Sequence, residues 1–126
     1  MDRVLVVEAD ETLRETIEMI LEEEGIAVVG ASDIATALTI LRMVDVPWVV
    51  LLDEWGMRPA DLRTRLPDHA FVLMSTCLER ESPLIDPVTG QAFPVLRLPF
   101  TIDELIDSVR NAAVRVSRAR CEVHER

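Results

Sequence analysis

Val49-Val50-Leu51-Leu52-Asp53 is an apolar run that stops on a carboxylate, and Val4-Leu5-Val6-Val7-Glu8 repeats the pattern near the start of the chain. Short runs of this kind, with β-branched residues and no polar alternation, suit strands buried on both faces. Working outward, the third strand is expected over Trp48–Leu52, and Ile26–Val29, Phe71–Met74 and Phe93–Leu98 are further candidates. Apolar residues at helical spacing lie between them: Leu13, Ile17, Ile20 and Leu21, then Ile34, Ala37, Leu38 and Leu41. Strands alternating with helices imply βαβ units, and right-handed crossovers make five such strands a doubly wound parallel α/β sheet. Ligands of such sheets bind outside the carboxyl ends of the strands. Glu8 and Asp53, delivered at the same end, therefore form a candidate site for a hard cation or for phosphoryl chemistry.

Punctuation residues refine this outline. Thr12 with Glu15 is a capping-box pattern, and Thr101 with Glu104 is a second one. Gly25 stands where a helix ends, Ser32 or Asp33 caps the next helix, and Pro47 stops it. Only a short helix fits around Ala60–Leu66. Residues 77–92 hold Pro83, Pro87 and Gly90, so a regular helix there is short or broken. The closing helix places Ile102, Leu105, Ile106, Val109, Ala113 and Val116 on one face, and runs for about 19 residues or ~28 Å. Arg110, Arg115, Arg118 and Arg120 decorate it, and residues 111–126 extend it into a tail, which makes it a candidate dimerising or docking helix.

The composition narrows the classes. A chain of 126 residues, 49% apolar, is expected to form one domain over 1–126 with its own core. No apolar stretch approaches the roughly 18–20 residues of a membrane span, and Met1-Asp2-Arg3 leads straight into a strand without a signal peptide. The cytoplasm is the expected address. A net charge of −10 argues against direct nucleic-acid binding. All 13 basic residues are arginine. Cys77 and Cys121 read as free thiols, Glu22-Glu23-Glu24 as a solvated charge run, and His69 and His124 as surface residues.

From about Val4 to Arg110 the chain resembles the receiver domain of bacterial two-component response regulators. The resemblance rests on Glu8-Ala9 followed by Asp10, on Leu51-Leu52-Asp53, on Ser75 at the end of the fourth strand, and on Leu98-Pro99-Phe100 leading into Thr101-x-x-Glu104-Leu105. It implies a strand order of 2-1-3-4-5, with a shortened third helix and a degenerate fourth. It further implies Asp53 as phosphoacceptor, Ser75 as ligand of a phosphoryl oxygen, and Mg²⁺ held by Glu8, Asp53 and the backbone carbonyl of Trp55, with Asp10 as an additional candidate. The implied partners are a sensor histidine kinase or phosphotransfer protein and a downstream protein target.

The departures weaken that chemistry. Ala9 stands where the family has a second acidic residue, and Leu98 where it has a lysine. Val95 replaces an aromatic residue, and Arg97, the nearest cation, is expected on the opposite face of its strand from Leu98. A charge-assisted hydrogen bond to a phosphoryl oxygen contributes roughly 1.5–3 kcal/mol, so losing it costs about 10- to 100-fold. The first reading is thus a stand-alone receiver-like domain with impaired phosphoryl chemistry, acting by protein–protein contact rather than as an enzyme. The second is a phosphorylation-independent pseudo-receiver. A small hydrolase using Asp53 as nucleophile is the third, and it lacks an acid/base partner at a strand end. Trp55 reads either as an aromatic pinning a short loop or as a lid over Asp53, and Cys77 as a buried thiol close to the site.

Overall fold

The computed structural model describes residues 3–53, 59–75 and 84–124, with side chains described up to residue 115. In chain order the elements are β1 (Arg3–Val7), α1 (Glu11–Glu23), β2 (Ala27–Ala31), α2 (Ile34–Met43), β3 (Val49–Asp53), α3 (Pro59–Arg65), β4 (Ala70–Ser75), β5 (Val95–Arg97) and α4 (Ile102–His124). The five strands form one sheet in the order β2-β1-β3-β4-β5, and every pairing is parallel. This is the doubly wound topology expected from the alternating pattern.

Alternation along the strands builds two cores. Val4, Val6, Val49, Leu51, Val72, Met74 and Leu96 face one way and pack with Ile17 and Leu21 of α1 and Leu105 and Val109 of α4. Leu5, Val7, Val50, Leu52, Phe71 and Leu73 face the other way, against Ala37 and Leu41 of α2 and Leu62 of α3. The central strands are therefore apolar throughout because neither of their faces meets water. Each large aliphatic side chain buried in this way contributes about 1.5–3 kcal/mol.

Several local features differ from the sequence-based expectation. Asp10 caps α1, its carboxylate accepting from the Thr12 and Leu13 amides at 3.0 and 3.2 Å. The expected Thr12–Glu15 box does not form, because Thr12 already lies inside the first turn. At the other end of the chain the Thr101–Glu104 box does form. The Glu104 amide donates to Thr101 Oγ1 at 3.1 Å, and the Thr101 amide to Glu104 Oε1 at 3.4 Å. Gly25 ends α1 with φ +76°, a left-handed conformation that a side chain disfavours. Strand β5 is shorter than the run Phe93–Leu98. The Phe93 amide is spent on the Leu84 carbonyl, and Pro94 has no amide to give.

Ile102 is 57% exposed, whereas Ala113 packs against the core beside the more deeply buried Ala112. The helix covers 23 residues, longer than expected. Glu24, at the end of the glutamate run, meets Arg110 at 3.4 Å in a solvent-exposed pair of little energetic weight. The described part of 77–92 carries no helix. Residues 84–92 turn back through an Ile85–Ala92 bridge, with the Asp86 amide donating to the Gln91 carbonyl. No helix among the described residues is long and apolar enough to cross a membrane.

Candidate functional site at the carboxyl ends of the strands

Strands β1 and β3 are neighbours, with Val7 opposite Leu52, so the next residue of each chain is Glu8 and Asp53. Their carboxyl groups come close enough for Asp53 to act on the Glu8 side chain through charge and hydrogen bonding. Glu8 is 6% exposed, and three backbone contacts fix it in place. Its amide donates to the Ala31 carbonyl at 3.0 Å, its carbonyl accepts from Arg14 Nη1 at 2.8 Å, and its Oε1 accepts from the Asp10 amide at 3.1 Å. Burial pushes the Glu8 carboxyl above the ordinary range, and the negative charge and hydrogen bond of Asp53 add to this. The Asp10 amide pulls it the other way. The two strand ends thus bring two hard oxygen donors together, the kind a hard cation takes.

Ser75 ends β4, is 3% exposed, and lies one residue beyond Met74, the register partner of Asp53. Its carbonyl accepts from the Leu98 amide at 2.8 Å, which ties the end of β5 to the site. The Leu98 side chain packs against the core shared with α1 and α4. Arg97 and Val95 are exposed, on the side of β5 away from buried Leu96. Alternation thus keeps the Arg97 side chain off the Leu98 side of the strand, as expected. Ala9 is exposed and contributes no donor.

The Asp10 carboxylate is committed to the α1 cap and stays close enough to Glu8 to raise its pKa through charge. Trp55 and Cys77, named from the sequence, lie outside the described residues. Among the described residues no group of three or more His, Cys, Asp or Glu side chains is arranged to hold a metal. The donor set is therefore a two-carboxylate minimum. It still fits a Mg²⁺ ion, which takes one or two carboxylates and keeps several waters.

His69 is not a surface residue. It is 7% exposed, and its Nδ1 accepts the Trp48 amide at 3.0 Å where β3 and β4 begin. Burial holds its pKa below the usual value, with Arg63 adding to the effect and Asp68 opposing it. Arg14, which braces the Glu8 backbone, was also absent from the sequence reading. Its signal is its position one turn after the Asp10 cap, where a long cation reaches back over the strand end.

No family model matches the chain, and no curated protein matches it. Solved structures do. A CheY-like response regulator receiver domain protein from Methanospirillum hungatei JF-1 is 22% identical with TM-score 0.74, over 93% of this chain and 98% of that one. A Francisella response regulator receiver domain is 25% identical with TM-score 0.74, over 91% and 98%. A beryllofluoride-activated NtrC4 receiver domain dimer is 23% identical with TM-score 0.75, over 92% and 99%. The class is a doubly wound parallel α/β domain with its acidic pair at the strand ends. More particularly, the fold is that of response-regulator receiver domains.

Proposed function

We propose that this protein is a receiver-type signalling module that takes a phosphoryl group on Asp53 with reduced efficiency and acts by binding other proteins. The observation that carries the reading is the convergence of Glu8 and Asp53 at adjacent strand ends, with buried Ser75 on the next strand. The donor is a phosphohistidine on a sensor kinase or phosphotransfer protein in the cytoplasm. An Asp53 carboxylate oxygen attacks phosphorus, a P–O bond forms as the P–N bond breaks, and the donor imidazole leaves with a proton. Ser75 holds a phosphoryl oxygen by hydrogen bonding, while Glu8 keeps Asp53 oriented. Glu8 and Asp53 would hold a Mg²⁺ ion, which would supply charge neutralisation on the phosphoryl oxygens. The protein works as a switch component rather than as a turnover enzyme, and pairing through α4 is the route to a dimer.

Incubation with acetyl phosphate and Mg²⁺, followed by intact-mass measurement, tests this. A hydroxylamine-labile phosphoryl adduct that Asp53→Asn removes is the expected result. Persistence of the adduct in Asp53→Asn overturns the assignment. The second reading, a phosphorylation-independent interaction module, is favoured by Leu98 and Ala9, which leave the site without a lysine or a third carboxylate. No adduct even with a cognate kinase selects it.

A further inference from the structure

A cleft of about 610 Å³ opens at the opposite end of the sheet from Glu8 and Asp53. It sits where β3 and β4 begin, between the loops that precede them, the 84–94 segment and α4. Its walls mix apolar groups, Val46, Pro47, Pro67, Phe71 and Pro94 among them, with an almost equal polar share. Volumes of roughly 300–1,000 Å³, apolar walls and a few placed polar groups are the usual features of small-molecule sites.

The polar groups are built in rather than decorative. Arg63 and Asp86 both line the cleft and pair at 3.1 Å, with side chains only 11% and 10% exposed. Arg63 also donates to the His69 carbonyl and lies 5.7 Å from the Phe71 ring centroid. That charge is therefore cancelled internally. His69 lines the same cleft. Because the Trp48 amide occupies Nδ1, the neutral ring carries its proton on Nε2 and is a donor there.

We propose that this cleft is a binding site for a small, planar, uncharged ligand that presents a carbonyl-type acceptor to His69 Nε2–H. The charge balance selects against the alternatives. Once Arg63 is paired with Asp86, the lining retains exposed Asp45 and Asp68 against equally exposed Arg115, an excess of one negative charge in a chain of −10. An organic anion therefore finds no net counter-charge there. An amidinium-type cation is attracted weakly, but it is a donor only and cannot accept from His69. A flat neutral amide or lactam satisfies the imidazole and lays its body against the prolines and Phe71.

The test compares three probes of one shape: naphthamide, naphthoate and naphthamidine. Each is titrated into the isotope-labelled full chain near neutral pH while the amide signals of Ala70, Thr89 and Ala92 are followed. Saturable shifts at these amides with naphthamide, and at least tenfold weaker binding of the two charged probes, are expected. His69→Asn retains an acceptor for the Trp48 amide and removes the Nε2 donor, so it should weaken naphthamide about tenfold. Ala92→Trp, on an exposed lining residue, fills the cleft without touching that hydrogen bond and should abolish the shifts. It decides the matter if His69→Asn does not fold. Equal or tighter binding of either charged probe, no shift with any of the three, or naphthamide binding that survives Ala92→Trp overturns the proposal.

Discussion

Asp86→Ala should be the most damaging single change outside the hydrophobic cores. Asp86 is 7% exposed, and its carboxylate meets Arg63 Nε at 3.1–3.2 Å while also accepting the Val88 amide at 2.8 Å. Truncation strands the Arg63 guanidinium, itself 9% exposed, with no counter-charge from Asp86. Breaking a buried pair from one side costs about 3–5 kcal/mol. The lower end applies here because Arg63 keeps the His69 carbonyl and the Phe71 ring as partners. The Val88 amide lies in an exposed turn and returns to water, so it adds little.

A loss of about 3 kcal/mol follows, or roughly 2 M in the urea midpoint for an m-value near 1.5 kcal/mol/M. Arg63→Met should cost a similar amount, by stranding Asp86 instead. The double variant Arg63→Met/Asp86→Ala removes both charges and should be less destabilised than the sum of the singles by about 2 kcal/mol. Urea unfolding followed by circular dichroism on all four proteins reads this directly. A loss below ~1 kcal/mol in Asp86→Ala, or strict additivity in the double variant, refutes the claim that one buried ion pair fastens the 84–92 segment to α3.

Two further outcomes are expected. Leu98→Lys should raise the yield of Asp53 phosphoryl adduct from acetyl phosphate about 10-fold or more, because an ammonium then supplies the missing charge-assisted hydrogen bond. The lysine stem can keep the apolar contacts that Leu98 makes with the α1/α4 core, and an unchanged yield in a folded variant contradicts this. As for pH, the buried His69 ring has a folded pKa below the ordinary 6.5, so the unfolded chain takes up its proton first. Stability should therefore be full above about pH 6.5 and fall as the pH drops from there toward the folded value. His69→Asn should flatten that part of the stability profile measured by thermal unfolding, and an unaltered slope would show that His69 does not titrate between the two states.

Much of the sheet could be read from the chain because its strands are short apolar runs that end on charged or hydroxyl residues. Glu8, Asp53 and Ser75 were visible for the same reason: a polar residue terminating a buried run has only the strand end to occupy. The caps at Asp33 and Thr101–Glu104 were legible because they need only contacts three residues apart. Asp10 was misjudged because Thr12 offers an equally good local pattern. What decides between them is how soon the chain turns after β1. His69, Arg63 and Asp86 escaped for a different reason. A histidine beside an aspartate, or an arginine 23 residues from its partner, looks solvated until tertiary packing buries it. The shortness of β5 likewise depends on Leu84 claiming the Phe93 amide, a contact made only once the chain has folded back.

A receiver-type role requires Glu8 and Asp53 to act as one site. Titration of the isotope-labelled chain with Mg²⁺, following the amide signals of Glu8, Ala31 and Asp53, tests it most directly. Saturable shifts at all three in the wild type, weakened at least tenfold by Glu8→Gln and equally by Asp53→Asn, are the predicted result. Shifts that persist unchanged in Glu8→Gln would mean that the two carboxylates do not share an ion.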